Sequence, residues 1–401
     1  MVNLRRVWLI FALAVGVCLA GPCTVVLRTD IPARDPVYVR VENGQAHLWA
    51  PDGPALIWNS TQEVTALVCS GSNNVLVATN AVTSHKRCID STTFLVEDSV
   101  QVTSQELQCR NQITGDTINT GQSCGGRGTL LYLGFNSQVY GFIPYIHSCF
   151  DMVRAALLWT RHILPGAAVR GSMVESSRPA WKVAGMPSHV RPATSYTQAS
   201  QLERLTHLLG SAEQAARFVF PNSFMARGHM SPDADGIYRS WQFTTYFFTN
   251  AVPKWQVVNN GNWARIERVT RDTAASLHED LIIIQGTDGV LHLPHEDGRD
   301  IPISLEDGGL EAPRWLWKII KSPKLDAAIA FVTSNNPFET SIHPMEFICT
   351  DICAETGWGH ADYANHARGY SYCCDPNELI DNVVTATPEG RARNLLLASM
   401  V

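Results

Sequence analysis

The chain lacks broad basic charge. Lysine and arginine number 31 against 37 aspartates and glutamates, a formal net charge of −6 over 401 residues. A protein that holds nucleic acid on a wide basic surface needs the opposite balance, so any grip on phosphate has to be local. Internal repeats and low-complexity tracts are also missing, which removes repeat solenoids from consideration. Beyond the first 20 residues no stretch is apolar for long enough to cross a membrane, and the mature chain is expected to be soluble. What remains is an ordinary globular composition, 45% apolar, in a chain long enough for two domains and a substantial core.

Residues 1–20 read as a secretory signal. Arg5 and Arg6 form a basic start, Val7 to Val17 is an apolar run too short to span a bilayer, and Cys18-Leu19-Ala20 offers small residues for cleavage. Of 11 cysteines, Cys18 falls in that leader. Six lie between Cys23 and Cys149 and four cluster as Cys349, Cys353, Cys373 and Cys374. In an oxidising compartment this even set reads as disulfides of open connectivity. A four-cysteine zinc site is the rival, weakened by the lack of a C-x-x-C knuckle. Asn59-Ser60-Thr61 is a glycosylation sequon.

Residues 21–140 carry short β-branched runs such as "TALVC" and "NNVLVAT", broken by turn residues. They predict a small β-rich, disulfide-stapled module without a catalytic constellation. From "GFIPYIHSCF" onward, residues 141–401 read as mixed strands and helices. "TQASQLERLTHLLG" predicts a helix with a Ser200/Glu203 capping box, an apolar face of Leu202, Leu205 and Leu209, and a stop at Gly210. "DLIIIQGTDGVLHL" predicts a hairpin turning at Asp288-Gly289, and "LDAAIAFVTS" a buried strand.

The chemistry concentrates between Phe224 and Arg271. "FMARGHMSPDADG" places Arg227, Gly228 and His229 together, Asn250 follows in "FFTNAVPKW", and "VVNNGNWARIERVTR" predicts an Asn-rich turn running into a helix. Asn259, Trp263, Glu267 and Arg271 stand four apart in it, on one face. This window holds six basic residues (Arg227, Arg239, Lys254, Arg265, Arg268, Arg271) and three acidic ones (Asp233, Asp235, Glu267), a local +3 in a chain of −6. Phosphodiester hydrolysis needs a base, a charge sink and help for the leaving oxygen. A histidine titrating near neutrality, arginines with planar donors and a hard cation on oxygen ligands supply these parts. The bland alternatives are a surface histidine, a helix-capping Asn259 and a solvated Glu267–Arg271 pair. Trp181, Trp255 and Trp263 read as packing, with contact of one of them to a base or sugar as the alternative, and His343, His360 and His366 read as ordinary.

The set "RGHMSPDAD…FFTN…NNGNWARIE" resembles the non-specific DNA/RNA endonucleases of the ββα-metal fold, and within them the duplex-specific nucleases of shrimp and crab. The resemblance covers residues from about 145 to 390, and the cysteine-rich start and terminal "GYSYCC" fit the crustacean type. It implies an α+β fold with a ββα-metal core on an antiparallel sheet. By motif position it implies His229 as general base, Asn259 as the single direct metal ligand and Glu267 acting on the metal through water. Arg227 would be the family's Arg before Gly-His, Arg271 and Arg178 (in "SSRPAWK") would lie at the phosphate, and Asn250 close to the substrate. The implied cofactor is Mg²⁺, for which Mn²⁺ can substitute. The implied substrate is duplex DNA, or the DNA strand of a DNA–RNA hybrid, cut to 5′-phosphates, with no membrane and no obligate protein partner. A sugar-non-specific nuclease, a decayed nucleic-acid-binding relative and an intracellular endonuclease G-like protein are the other readings. Two positions depart from the family: Ala226 stands for its usual Asp, and Lys254 for its usual Gln.

Overall fold

A computed structural model of the chain describes residues 23–58, 64–174 and 177–401. The leader read at 1–20 and the Asn59-Ser60-Thr61 sequon lie outside the described residues. The centre is a nine-stranded sheet. Eight of its strands run in the spatial order Ser371–Cys374, Ala327–Ser334, Pro313–Ser322, Leu281–Val290, Ala156–Leu164, Gly141–Asp151, Gly128–Ser137 and Asp116–Cys124. Neighbours along this path are antiparallel, and Asn394–Leu395 adds a short parallel pairing to Ala327–Ser334. Helices and short loops cover its faces, so the fold is α+β. Among the described residues no helix is long and apolar enough to cross a membrane.

A six-stranded antiparallel sheet lies upstream, between Val37 and Thr103. The strands of residues 116–137 already belong to the large sheet, so the change of sheet precedes the change of sequence texture near 140. The two sheets share one apolar cluster, in which Val37, Trp58 and Phe94 join Phe135, Ile146 and Trp241. Polar contacts tie them further. Tyr38 stacks on Tyr238 at 5.2 Å, Tyr238 donates to the Trp49 carbonyl, and buried Asp35 accepts from the Ser240 amide and hydroxyl.

All ten described cysteines are bridged: Cys23–Cys88, Cys69–Cys109, Cys124–Cys149, Cys349–Cys374 and Cys353–Cys373. Since the four C-terminal sulfurs pair with one another, none is left to ligate zinc. The strand expected in "LDAAIAFVTS" forms as Ala327–Ser334, buried at every residue.

Two sequence expectations need correction. The helix forms as Gln198–Leu209, but its cap is Thr197, whose hydroxyl accepts from the Ser200 amide, and not Ser200. Leu205 and Leu209 are buried whereas Leu202 is 37% exposed, so the apolar face is narrower than the leucine spacing indicated. The hairpin expected at Asp288-Gly289 is absent. Leu281–Val290 is one strand, and Gly289 takes its positive φ of 63° inside it. Pairing with Pro313–Ser322 continues through Asp288↔Trp315 to Val290↔Pro313, and that ladder overrides the local turn signal.

Candidate active site

The site is a strand–strand–helix unit lying on the large sheet. Met225–His229 pairs antiparallel with Ala251–Trp255, in register from Met225↔Trp255 to His229↔Ala251. The second strand turns through Gln256–Val258 and a π-type turn, Asn259–Trp263, into the helix Ala264–Leu277. At Gly261 the backbone leaves helical geometry (φ −94°, ψ −122°). A Cβ there would sit 2.4 Å from the Arg368 carbonyl oxygen, so a larger residue cannot occupy the turn as it stands. Next to it the Asn262 amide donates to the Asp362 and Gly369 carbonyls, which docks the C-terminal cysteine-rich segment onto the turn. The face expected from four-residue spacing is broken here: Asn259 and Glu267 border a cavity, while Trp263 between them is fully buried.

That cavity measures about 800 Å³ and gathers Arg178, Arg227, His229, Asn259 and Glu267. His229 lies at the end of its strand. Its ring packs 4.5 Å from Trp181 and, edge on, 4.7 Å from Tyr246, with Nε2 3.3 Å from the Thr245 hydroxyl. Burial pulls its pKa down to about 4; nearby Asp233 opposes this, and Lys254 and Arg178 add to it. The imidazole is therefore neutral at physiological pH, the form that accepts a proton. Arg227 spans the rings of Tyr196 and Phe248 at 6.0 and 5.8 Å, and its Nε is buried without a hydrogen-bond partner among the described residues. Arg178 is exposed on the rim.

Asn250 and Arg271 stand elsewhere than expected. Asn250 is fully buried. Its amide accepts from the Ser231 amide at 2.9 Å and donates to the Ser231 and Thr245 carbonyls at 2.8 and 2.9 Å. With all three bonds internal, it fastens the chain after His229 and is not part of the cavity lining. Arg271 pairs with buried Asp235 at 3.1 Å, and Asp235 also holds His162 at 3.0 Å. It lines a neighbouring cleft of about 350 Å³ rather than the main cavity.

Sequence reasoning missed several participants. Trp181, read as packing, is half-buried on the cavity wall against His229, and Phe224 is half-buried on the same wall. Tyr246 donates to Asp233 at 2.6 Å, and both border the cavity. Nothing in spacing singles these out: Asp233 and Tyr246 come from the loop between the two strands, Phe224 from just before the first strand, and Trp181 from a segment upstream of the unit. Trp255 and Trp263 are fully buried and do pack. Lys254 is wholly buried, donates from Nζ to the His229 carbonyl at 3.0 Å, and lies 4.3 Å over the Trp263 ring. Burial lowers its pKa, with Glu267 opposing. Burial likewise raises that of Glu267, against the pull of Lys318, Lys254 and Arg271. A Cβ on Gly228 would fall 2.6 Å from that of Lys254, so this glycine lets the lysine pack against the strand.

The donor set facing the cavity suits a hard cation. Asn259 offers an amide oxygen and Glu267 a carboxylate. Among the described residues no three or more His, Cys, Asp or Glu cluster as a metal cage. Few oxygen ligands in an open cavity fit an ion that keeps most of its waters.

A family model for DNA/RNA non-specific endonucleases matches residues 126–379. The chain belongs to this family. Among curated proteins it is similar to a salivary endonuclease of Lutzomyia longipalpis, 29% identical over 89% of this chain and 82% of the relative. It is also similar to a salivary endonuclease of Culex quinquefasciatus, 27% identical over 65% of this chain and 67% of the relative. The salivary protein Tsal2A of Glossina morsitans morsitans is 21% identical over 97% of this chain and 98% of the relative. A solved structure of EndoG with its inhibitor EndoGI aligns at a TM-score of 0.37, with 12% identity over 63% of this chain and 88% of that one.

Proposed function

We propose that the protein is a secreted, Mg²⁺-dependent endonuclease that hydrolyses DNA with little sequence specificity, prefers duplexes and leaves 5′-phosphates. The observation that carries this reading is the convergence of Arg178, Arg227, His229, Asn259 and Glu267 on one cavity. Neutral His229 takes a proton from the attacking water. Arg178 and Arg227 meet the charge that develops on the phosphoryl oxygens. Asn259 and Glu267 would hold the cation, which supplies further charge neutralisation and assistance to the leaving oxygen. Lys254 fixes the main chain at the His229 carbonyl, and Asn250 fixes it two residues on, at Ser231. Five disulfides and relatives named as salivary proteins support an extracellular working place.

Phosphate-directed groups carry no direct sequence information, which supports low sequence specificity. One observation favours a second reading, a nuclease indifferent to strand and sugar. Trp181 and Phe224 offer ring faces in the cavity, and unpaired bases stack on such faces. Initial rates on length-matched duplex DNA, single-stranded DNA and RNA, each with Mg²⁺ and with EDTA, test both. Faster metal-dependent cutting of the duplex is expected. Equal rates on all three select the second reading, and cutting in EDTA overturns the metal assignment.

A further inference from the structure

The cleft that takes Arg271 lies beside the catalytic cavity, and the two share Arg178, Asp233 and Tyr246 as a common wall. Arg28, from the upstream region, also lines it. The Arg28 guanidinium is held in place: Nε donates to the Ser172 carbonyl at 3.3 Å and Nη2 to the Arg170 carbonyl at 2.9 Å. Both acceptors are main-chain oxygens, so the charge is positioned without being neutralised. Arginine carries five N–H donors, and three remain for a ligand.

The charges bordering this cleft are unlike those of the whole chain. Among the described residues that line it, Arg28, Arg178 and Arg271 are accompanied by one carboxylate, Asp233, in a protein of net charge −6. Arg271 is compensated by buried Asp235, and Asp233 accepts from Tyr246. Arg28 and Arg178 are exposed and supply the available positive charge. Two arginines on a concave surface, next to a site built for a phosphodiester, suit another phosphate of the same strand.

We propose that this cleft is a second phosphate subsite, in which Arg28 of the N-terminal module and Arg178 grip the backbone beside the scissile bond. The inference rests on the nuclease reading for the identity of the strand. It gives the upstream region, through the turn after Cys23–Val26, a part in substrate binding, where the sequence showed no constellation.

The test is binding without cleavage. Fluorescence anisotropy of a labelled 20-base-pair DNA duplex is followed in EDTA from low to physiological salt, for the wild-type chain, Arg28→Ala and Arg28→Lys. Each phosphate contact contributes about 0.9 to the slope of log affinity against log salt. Arg28→Ala is expected to lower that slope by about 1 and to weaken binding roughly three- to tenfold, and Arg28→Lys to recover the slope. An unchanged slope and affinity in Arg28→Ala overturns the subsite. So does a loss in Arg28→Lys equal to that in Arg28→Ala with a lowered melting temperature, because Arg28 would then act through the fold. The result stands apart from cleavage: a chain inert with Mg²⁺ that still loses slope on Arg28→Ala keeps the subsite and rejects the nuclease reading.

Discussion

Lys254 donates from Nζ to the main-chain oxygen of His229 across 3.0 Å, from a position with no solvent exposure. The one clear departure in the second strand is thus a strut beneath the proposed base. Its pKa is lowered from the ordinary 10.5 by burial. The unfolded chain therefore binds more protons than the folded one between the lowered value and 10.5, and stability rises with pH across that window. Lys254→Met removes both the strut and the buried amine. It is expected to melt close to the wild type at pH 7 and below it at pH 10, and to cut plasmid about ten- to a hundredfold more slowly as His229 shifts. A melting gap that does not widen with pH contradicts this picture of the lysine.

His229→Ala is expected to lower plasmid nicking by about 10²–10⁴-fold while the melting curve persists. Activity within threefold of the wild type sinks the assignment. Because the folded pKa is depressed to about 4, the neutral base survives well below the usual 6.5. The acid limb of kcat/KM should fall below pH 6. This histidine's contribution to stability is present above 6.5 and is lost as the pH falls from there toward 4.

Asn259→Ala should raise the Mg²⁺ concentration needed for half-maximal rate, since few protein oxygens face the cavity. An unchanged titration would move the ligand elsewhere, with Asn260 on the same wall as the first suspect.

Asn250→Ala separates positioning from contact. Losing a buried amide with three internal bonds is expected to cost about 1–3 kcal/mol, and kcat should fall while KM for duplex DNA holds. A raised KM with an unchanged melting temperature would return Asn250 to the substrate.

Thiol titration of the mature protein, denatured without reductant, should read near zero. Two or more reactive thiols refute the five-bridge framework.

The sequence revealed the site better than the scaffold. His229, Asn259 and Glu267 are separated by short stretches within one strand–strand–helix unit, so motif spacing carries them together. Arg271 was misplaced because spacing along a helix does not reveal which carboxylate waits at its end; Asp235 does. Asn250 was misplaced because an amide in a motif looks alike whether it faces ligand or backbone. Lys254 was legible as a departure but not as a buried strut, since burial of a lysine depends on partners such as Trp263 from another element. The hairpin at Asp288-Gly289 failed because a central strand answers to its neighbours more than to its own dipeptides.

The turn bearing Asn259 is finished by residues made about a hundred positions later. Gly261 abuts Arg368, and Asn262 holds the Asp362 and Gly369 carbonyls, on a segment tied down by the Cys349–Cys374 and Cys353–Cys373 bridges. A nascent chain that stops short of this segment, or one still reduced, has the base but an unbraced turn. On the proposed function, cutting is expected to await both the end of translation and the closing of these bridges. Chain made under reducing conditions should stay nearly inert toward plasmid and gain activity on reoxidation.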